Sequence, residues 1–288
     1  YEVRWKYSRF PTKIKNFEEK IWDGKENIKD KTILLYCEQG LGDQIQFIRF
    51  VDMILNKGAE VIVQVDQRLV KLFNETTNFK NIYGDNEKLP KFDFHCPIMS
   101  LPHKLKVNIN SIPNNSYLKV DKIRTEKWKK LFNNKMINIG VNWQGGVDPR
   151  QDHGRSFNIN YLEKISKMKN IKLFSLQKIN GMEQIKNRKN NFNLSIIENM
   201  DIKAPFIDTA AIISNLDLVI TSDTAVAHLS GALGKKTFLV LQKFSEWRWF
   251  KNRNDSPWYA SMKIFRQNVE NQWDDVFLSI EKELVNSS

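Results

Sequence analysis

The feature that most constrains the fold is an alternation of apolar, strand-like runs with helical patterns, which occurs twice along the chain. In the first series, TILLYC precedes the helical pattern DQIQFIRFVDMILNKG, and EVIVQV and QRLVKLF follow. The second series begins at MINIGVNW and ends with DLVIT, DTAVAHLSGALG and KTFLVL. Strands that alternate with helices predict parallel sheets with helices on their faces. We therefore predict an α/β fold with two parallel-sheet domains.

The two series meet in a looser region near residues 120–135, which divides the chain of 288 residues. We predict a lead-in segment over 1–30, an N-terminal domain over 31–125 and a C-terminal domain over 126–268. The amphipathic pattern QWDDVFLSIEKELV predicts a helix within 269–288. Because the sequence starts with Tyr1 instead of Met, we expect a piece of a longer protein or a trimmed chain.

The composition narrows the cellular setting. No run of about 18 apolar residues is present, so we expect no transmembrane helix, and no signal peptide is visible. The two cysteines, Cys37 and Cys96, lie in apolar strand-like runs, which favours buried thiols in a reducing compartment over a disulfide. We expect a cytoplasmic protein, with peripheral contact to the inner face of the membrane left open.

The formal net charge of +12 raises the question of a nucleic acid partner. The lysines are scattered, as in EKWKKLFNNK and QIKNRKNN, and no basic motif interleaved with aromatic residues occurs. This pattern favours solvated surface charge, so we predict no nucleic acid partner. A phosphorylated small ligand fits the charge equally well.

The first strand ends in the turn GLGDQI, which resembles a phosphate-binding turn but carries an aspartate. The third glycine of the dinucleotide fingerprint is replaced by Ile45, although an acidic Asp66 does follow the second strand. Gly40 and Gly42 allow a sharp turn and a close approach of a substrate. Asp43 is either a helix cap or a general base that faces the cleft, and its spacing does not distinguish the two.

A second strand-to-helix turn, ITSDTAVAHLSGALG, carries a similar set of polar groups. Asp223 ends the strand, Thr224 opens the helix, and the amides around Ala225 could bind a phosphate at the positive end of the helix dipole. His228 lies four residues after Thr224, so both side chains can face the same way. The alternative is an aspartate cap with a half-buried histidine.

Other polar residues follow strand ends and are therefore predicted near the same cleft. Gln177 and Lys178 follow the strand in FSLQK, and Lys178 could offset diphosphate charge or be solvated. We predict that the acceptor side of the cleft is lined by Gly40, Gly42, Gln44, Trp143, Gln144 and Arg155.

The segment FSEWRWFKNRNDSPWY is dense in aromatic residues and arginines. We interpret it as core packing with arginines stacked on rings, the alternative being a wall that faces a sugar or a base. The sequence has no Asp-x-Asp motif at a strand end, no Gly-x-Ser-x-Gly elbow and no Walker A motif. These absences disfavour a metal-dependent transferase, an α/β-hydrolase and a P-loop NTPase, and we predict no metal site.

Taken together, CEQGLGDQIQFIRF, FSLQK, DTAAIISNLDLVITSDTAVAHLSGALG and EWRWFKNRNDSPWY resemble the glycosyltransferase domain found downstream of tetratricopeptide repeats in many bacterial proteins. That domain is similar to the ADP-heptose:lipopolysaccharide heptosyltransferases of glycosyltransferase family 9. The resemblance extends from about Trp5 to Phe265, with the motifs in the same order and at similar spacing.

The resemblance implies a GT-B fold, in which two Rossmann-like domains face a central cleft. Proteins with this fold often end with a helix that crosses back to the first domain, as the helix within 269–288 could do. It implies an inverting transfer from a nucleotide-diphosphate sugar without a catalytic metal or other cofactor. The family's proposed base corresponds to Asp43, and its phosphate-neutralising lysine to Lys178, which has Gln177 beside it. The second turn of the family holds the sugar and diphosphate of the donor and corresponds to Asp223, Thr224, Ala225 and His228.

The family's heptosyltransferases carry an Arg- or Lys-rich lead into the first turn, whereas this chain has Cys37, Glu38 and Gln39. The acceptor therefore stays open among a glycan, a lipid-linked glycan and a protein, and upstream tetratricopeptide repeats are an expected partner. The alternative functions are a non-catalytic module that binds nucleotide sugars or glycans, a GT-B-like sugar-nucleotide epimerase, and a nucleic acid binder.

Overall fold

The structure, a computed structural model, describes residues 1–8, 10, 12–146, 152, 154–186 and 192–286. Its strands form two parallel sheets, one in each half of the chain, with helices packed on them. Within the described residues, no helix is both long enough and apolar enough to cross a membrane.

The N-terminal sheet has five strands: β1 Lys20–Ile21, β2 Thr32–Tyr36, β3 Glu60–Val65, β4 Ile82–Gly84 and β5 Phe94–Pro97. Their order is β1-β5-β2-β3-β4, and all pairs are parallel. The helices of this half are α1 Leu41–Phe47, α2 Val51–Leu55, α3 Gln67–Thr76 and α4 Leu101–Lys104. Short 3-10 turns cover Glu2–Lys6, Ile48–Phe50 and Ile98–Ser100.

The C-terminal sheet has six strands: β6 Ile137–Asn142, β7 Ile171–Ser175, β8 Leu194–Ile196, β9 Leu218–Ser222, β10 Thr237–Leu241 and β11 Met262–Arg266. Their order is β11-β10-β9-β6-β7-β8, again with parallel pairs. The helices from the junction onward are α5 Lys122–Lys129, α6 Glu163–Ser166, α7 Glu183–Lys186, α8 Ile207–Asn215, α9 Ala225–Ala232 and α10 Asp274–Asn286. Two 3-10 turns cover Ile159–Leu162 and Trp247–Trp249.

The long apolar runs form the predicted strands. Every residue of β9 and β10 is buried, as expected for parallel strands that are covered on both faces. Two strands at sheet edges, β1 and β11, were not predicted. β1 has only two residues, both exposed, so it carries no apolar pattern.

The predicted helix over DQIQFIRFVDMILNKG is real but divided, since a 3-10 turn separates α1 from α2. At this point the carbonyl of Ile45 accepts a hydrogen bond from the Tyr117 hydroxyl at 2.8 Å. The carbonyl of Gln46 accepts one from Nε of Arg49 at 2.7 Å. Side-chain donors that compete with the helical ladder account for the tighter turn.

The C-terminal helix packs on its own domain instead of crossing back to the first, as the resemblance had allowed. The apolar stripe of α10 is buried in a core formed entirely by the C-terminal half, where Phe277 packs on the rings of Phe157 and Tyr161. Lys263 of β11 also pairs with Glu283 at 2.7 Å. The helix therefore closes the second domain; residues 287 and 288 of the predicted range lie outside the described residues.

A second core is shared by the two halves and continues from the N-terminal sheet to α8, α9 and the rings of Trp249, Trp258 and Tyr259. Arg49 lies inside this junction with 3% of its surface exposed. Its guanidinium donates to the carbonyls of Pro113 and Trp258 and to the Tyr117 hydroxyl. Apolar packing and the buried guanidinium of Arg49 therefore join the two domains.

We predict that Arg49→Met destabilises the protein by about 3 kcal/mol, because the buried carbonyls around Arg49 lose their donors. Chemical denaturation followed by circular dichroism measures the change. Arg68→Met is the matched control, because Arg68 is largely exposed and pairs with Asp66 at the surface; we expect a change below about 1 kcal/mol. Equal effects of the two substitutions would contradict the role assigned to Arg49.

Candidate active site

The first turns of α1 and α9 lie against each other where the two domains meet. A Cβ atom added to Gly42 would stand 2.6 Å from Cδ2 of His228 and 3.6 Å from Cα of Ala225. The side-chain-free surface of Gly42 is therefore what lets the two helices touch. Because both helices approach by their N-terminal ends, two positive dipole ends converge on this place.

Asp43 lies in the first turn of α1 and is paired with Arg248 from the C-terminal half. Nη2 of Arg248 donates to Oδ1 of Asp43, and the side chains are 9% and 15% exposed. Within the described residues, the carboxylate makes no hydrogen bond to the opening amides of α1, and Gly40 is the N-cap residue. Of the two roles considered for Asp43, the geometry therefore does not show a helix cap.

Asp223 follows β9 and is buried beside the same arginine. Its Oδ2 accepts a hydrogen bond from Nε1 of Trp249 at 2.8 Å. Burial raises the pKa of Asp223, and the charges of Arg248 and Arg155 oppose that shift. Burial acts to lower the pKa of Arg248, but the carboxylates of Asp43 and Asp223 outweigh it and raise that pKa. Asp43 of the first domain is thus paired with the buried guanidinium, and the charge of Asp223 of the second domain also acts on it.

His228 is enclosed by aromatic rings. Nδ1 lies 2.8 Å from the Tyr259 hydroxyl, and the imidazole stacks on Trp249 with 5.4 Å between ring centroids. Burial, followed by the nearby arginines, lowers the pKa of His228 well below its usual value. The ring is therefore neutral at physiological pH, and it supplies hydrogen bonding and shape but no positive charge.

Thr224 and Ala225 open α9 at the point where the order of the second sheet reverses, between β6 and β9. The hydroxyl of Thr224 donates to Oδ1 of Asn142, the last residue of β6, at 2.8 Å. This bond fixes the turn to the neighbouring strand and leaves Thr224 without a side-chain cap on its own helix. Such switch points are the usual ligand-binding places of parallel α/β sheets.

A small cavity adjoins Asp223 and is lined by Arg155. The guanidinium of Arg155 lies over the backbone of Gly145, where a Cβ would be 2.7 Å from Nη2. Nε of Arg155 is buried and has no hydrogen-bond partner among the described residues. The other lining residues are Asp152, Leu241, Gln242, Ser245 and Glu246.

Gln177 organises the loop after β6 instead of presenting free polar atoms. Its Oε1 accepts from the side chain of Asn142 and from the backbone amides of Trp143 and Gln144, at 2.9 to 3.0 Å. Its Nε2 donates to the carbonyls of Gln144 and Asn180. All of these partners are protein groups, so the contribution of Gln177 to a site is to hold this loop.

Three other predicted site residues have side chains that are hydrogen-bonded to other protein groups. Trp143 is fully buried in the core formed by the C-terminal half, where its indole donates to the carbonyl of Gly181. Gln44 is buried and links Gln39 to the amide of Asp66. The side chain of Gln144 accepts from Gln184 at 2.8 Å. The three side chains therefore support the loops around the site and are not among the described residues that line the cavity.

Lys178 is not among the described residues that line the cavity at Asp223. Its Nζ lies 3.9 Å from Oδ2 of Asp201, and its side chain is 43% exposed. Asp201 in turn caps the start of α8 by accepting from the amides of Asp208 and Thr209. The structure thus brings together Asp43, Gly42, Asp223, Thr224, Ala225, His228 and Arg155, and leaves Lys178 outside this group.

Sequence reasoning missed two charged residues of the site, Arg248 and Glu38. Arg248 was interpreted as part of the packing within FSEWRWFKNRNDSPWY. The signal that could have indicated a site residue was the position of this arginine between two tryptophans. Glu38 is buried near the first turn, where it accepts from Arg4 of the lead-in segment at 2.8 Å. The same guanidinium group donates to Ser100, which follows β5.

Within the described residues, no group of three potential ligands is placed to hold a metal ion.

Comparison with known proteins gives one sequence relative and several structural ones. The chain is 25% identical over 278 residues to Protein FlbA of Caulobacter vibrioides, a match that covers 88% of this chain and 46% of FlbA. The chain thus spans less than half the length of that relative. No protein-family model matches the sequence.

The structure is similar to a family 9 glycosyl transferase from Veillonella parvula, with a TM-score of 0.59, 11% identity and 91% of each chain covered. It is also similar to the ADP-heptose lipopolysaccharide heptosyltransferase II of E. coli, with a TM-score of 0.61 and 9% identity over 89% of this chain and 99% of that one. At such identities the similarity concerns the fold. The predicted GT-B class is confirmed: two parallel α/β domains are arranged as in these glycosyltransferases.

We predict that Gly42→Ala destabilises the protein by about 1–3 kcal/mol, because the added methyl overlaps the His228 ring across the domain junction. Thermal and chemical unfolding measure the loss. Gly40→Ala is the matched control from the same turn, because a methyl there meets only Oδ2 of Asp43, at 3.4 Å; we expect less than about 1 kcal/mol. A Gly42→Ala protein as stable as wild type would show that the helices can separate without loss.

Glu38 predicts a pH dependence of stability. Burial raises its pKa to about 7, against the opposing charge of Arg4. Between the ordinary carboxyl value and about 7, the folded protein holds a proton that the unfolded chain has released, so stability falls as the pH rises through this window. Wild type should therefore lose on the order of 2 kcal/mol of unfolding free energy between about pH 5 and about pH 8 because of this one carboxyl. Glu38→Gln, which has no titrating group at this position, should lack that loss. Identical pH profiles for the two proteins would contradict the assignment.

Proposed function

We propose that the chain is a glycosyltransferase domain that moves a sugar from a nucleotide-diphosphate sugar to an acceptor hydroxyl with inversion of configuration. One observation carries the proposal: Asp43, from the first domain, is paired with Arg248, whose charge acts on Asp223 at the switch point of the second domain, and Gly42 beside it meets Ala225 and His228 of α9. A base that faces the acceptor and a turn that faces the donor are the two parts that such a reaction needs.

In the proposed reaction, the acceptor oxygen attacks the anomeric carbon from the side opposite the leaving group. Asp43 takes the proton of the hydroxyl as the new carbon–oxygen bond forms. The bond between the anomeric carbon and the phosphate oxygen breaks, and the nucleoside diphosphate leaves with the bonding electrons. A single displacement of this kind inverts the anomeric configuration, and general-base help contributes roughly 10²- to 10⁴-fold in rate.

The second turn is suited to the departing diphosphate. The opening amides of α9 and its helix dipole favour negative charge, and the neutral His228 can act as a hydrogen-bond partner. Fixed groups of this kind stabilise charge that develops in the transition state, and the proposal needs no catalytic metal. A chelator is expected to leave the activity unchanged.

The neighbouring structures support a nucleoside-diphosphate sugar as the donor class. One of them is the E. coli heptosyltransferase WaaC with ADP-2-deoxy-2-fluoro heptose, at a TM-score of 0.60. We propose a hexosyl or heptosyl donor, and an acceptor hydroxyl on a glycan, a lipid-linked glycan or a protein. Tetratricopeptide repeats in a longer chain remain the proposed partner that would bring the acceptor.

The donor is identified first, by screening nucleotide-diphosphate sugars for a rise in melting temperature, since a ligand that binds the folded state stabilises it. With that donor, Asp43→Asn is expected to lower turnover by about 10²- to 10⁴-fold, while the affinity for the nucleoside diphosphate does not fall. Sugar transfer and slow donor hydrolysis without acceptor are both measured by release of the diphosphate.

Asp66→Asn is the matched control, because Asp66 follows the next strand and pairs with Arg68 at the surface. It should retain wild-type turnover. Normal turnover by Asp43→Asn would reject Asp43 as the base. Tight donor binding with no transfer and no hydrolysis in wild type would instead favour the non-catalytic binding module.

A further inference from the structure

Arg248 carries a charge that the proposed reaction has not yet used. Only 8% of its surface is exposed, and its Nη2 donates to Asp43 across the domain junction. Its Nε is buried and has no hydrogen-bond partner among the described residues. A buried guanidinium with an unpaired donor is costly, which points to a partner that binds at this place.

The proposed donor brings two phosphate groups, and few cations near the second turn can meet them. Lys178 pairs with Asp201 and is half exposed, and His228 is neutral. Among the described residues, the charges of Arg248 and Arg155 oppose the rise in the pKa of Asp223 that burial causes, and Arg266 also interacts with its carboxylate. Arginine is also the side chain that best matches phosphate oxygens, because its fork donates two parallel hydrogen bonds.

The pairing of Asp43 is at odds with its proposed role as a base. One of its carboxylate oxygens accepts from Arg248, so that oxygen is not free to take a proton from an acceptor hydroxyl. Transfer of the guanidinium to another anion would free both oxygens of the carboxylate. A donor with two phosphate groups supplies such an anion.

We propose that Arg248 is the diphosphate-binding residue of this site and that donor binding draws its guanidinium away from Asp43. The inference rests on the proposed function, because it assigns a residue to the donor of that reaction. Arg248 is then a positioning residue for the base and a binding residue for the leaving group. The carboxylate becomes available only when a donor is in place, which couples the two halves of the reaction.

Inorganic pyrophosphate tests the assignment without knowledge of the sugar or the nucleotide. Titration calorimetry on wild type, Arg248→Gln, Asp43→Asn and the double variant gives four affinities. We expect Arg248→Gln to bind about 10- to 100-fold more weakly. We expect Asp43→Asn to bind at least about threefold more tightly than wild type, because no ion pair has to be broken. The double variant, which has no unpaired buried charge, should be as weak as Arg248→Gln.

Two control variants separate the proposal from general electrostatics. Arg253→Gln removes a cation from the same segment, where Arg253 pairs with Asp255 at the surface, and should leave the affinity unchanged. Glu246→Gln removes a carboxylate that lines the cavity and whose charge, like that of Asp43, acts on Arg248. Its gain in affinity should be smaller than that of Asp43→Asn, because Asp43 is the residue that holds the guanidinium.

The outcomes are decisive in both directions. Wild type that does not bind pyrophosphate at millimolar concentration, or a double variant that binds like wild type, would overturn the role of Arg248. Asp43→Asn with no gain beyond that of Glu246→Gln would overturn the transfer of the guanidinium. If the affinities follow the expectation but no nucleotide sugar is turned over, the proposed function fails while the anion site stands.

Discussion

The arrangement of this protein depends on the contact between the first turns of α1 and α9. Gly42 permits the contact, and the His228 ring fills the space that a side chain at position 42 would occupy. Two helix ends that carry positive partial charge are thereby brought together. The neutral state of His228 fits this setting, because a positive charge on the ring would be repelled by the helix ends and by Arg248. The carboxylates of Asp43 and Asp223 fit it as well, because negative charge is favourable at the N-terminal end of a helix.

The strand order reverses between β2 and β5 in the first sheet and between β6 and β9 in the second. Different groups lie at these two switch points. In the first sheet, Arg4 of the lead-in segment lies between Glu38, after β2, and Ser100, after β5, and so occupies that crevice. In the second sheet, Thr224 and Asn142 bond to each other and a cavity remains beside Asp223. This asymmetry is consistent with a donor site on the second domain and with a first domain whose contribution is a carboxylate.

Much of the fold could be predicted, because buried parallel strands need long apolar runs and these are visible in sequence, as in β9 and β10. The predictions failed where the deciding contact is tertiary. The break between α1 and α2 depends on the side chains of Tyr117 and Arg49, and the docking of α10 depends on which apolar surface is available to its stripe. The candidate site follows the same rule: its turns were found from their glycines and polar residues, whereas Gln177 acquires its supporting role only from the loop that folds around it.

The sequence by itself determined the two series of strands and helices and the polar turns that end them, because these patterns are local. It also placed an aspartate in each of the two turns. Only the tertiary structure decided that Asp43 is paired with Arg248, 205 residues away, and that Lys178 turns toward Asp201 instead of the cavity. The reason is physical: which charges neutralise one another depends on distances within a buried junction, and those distances exist only once both domains have packed on their shared core.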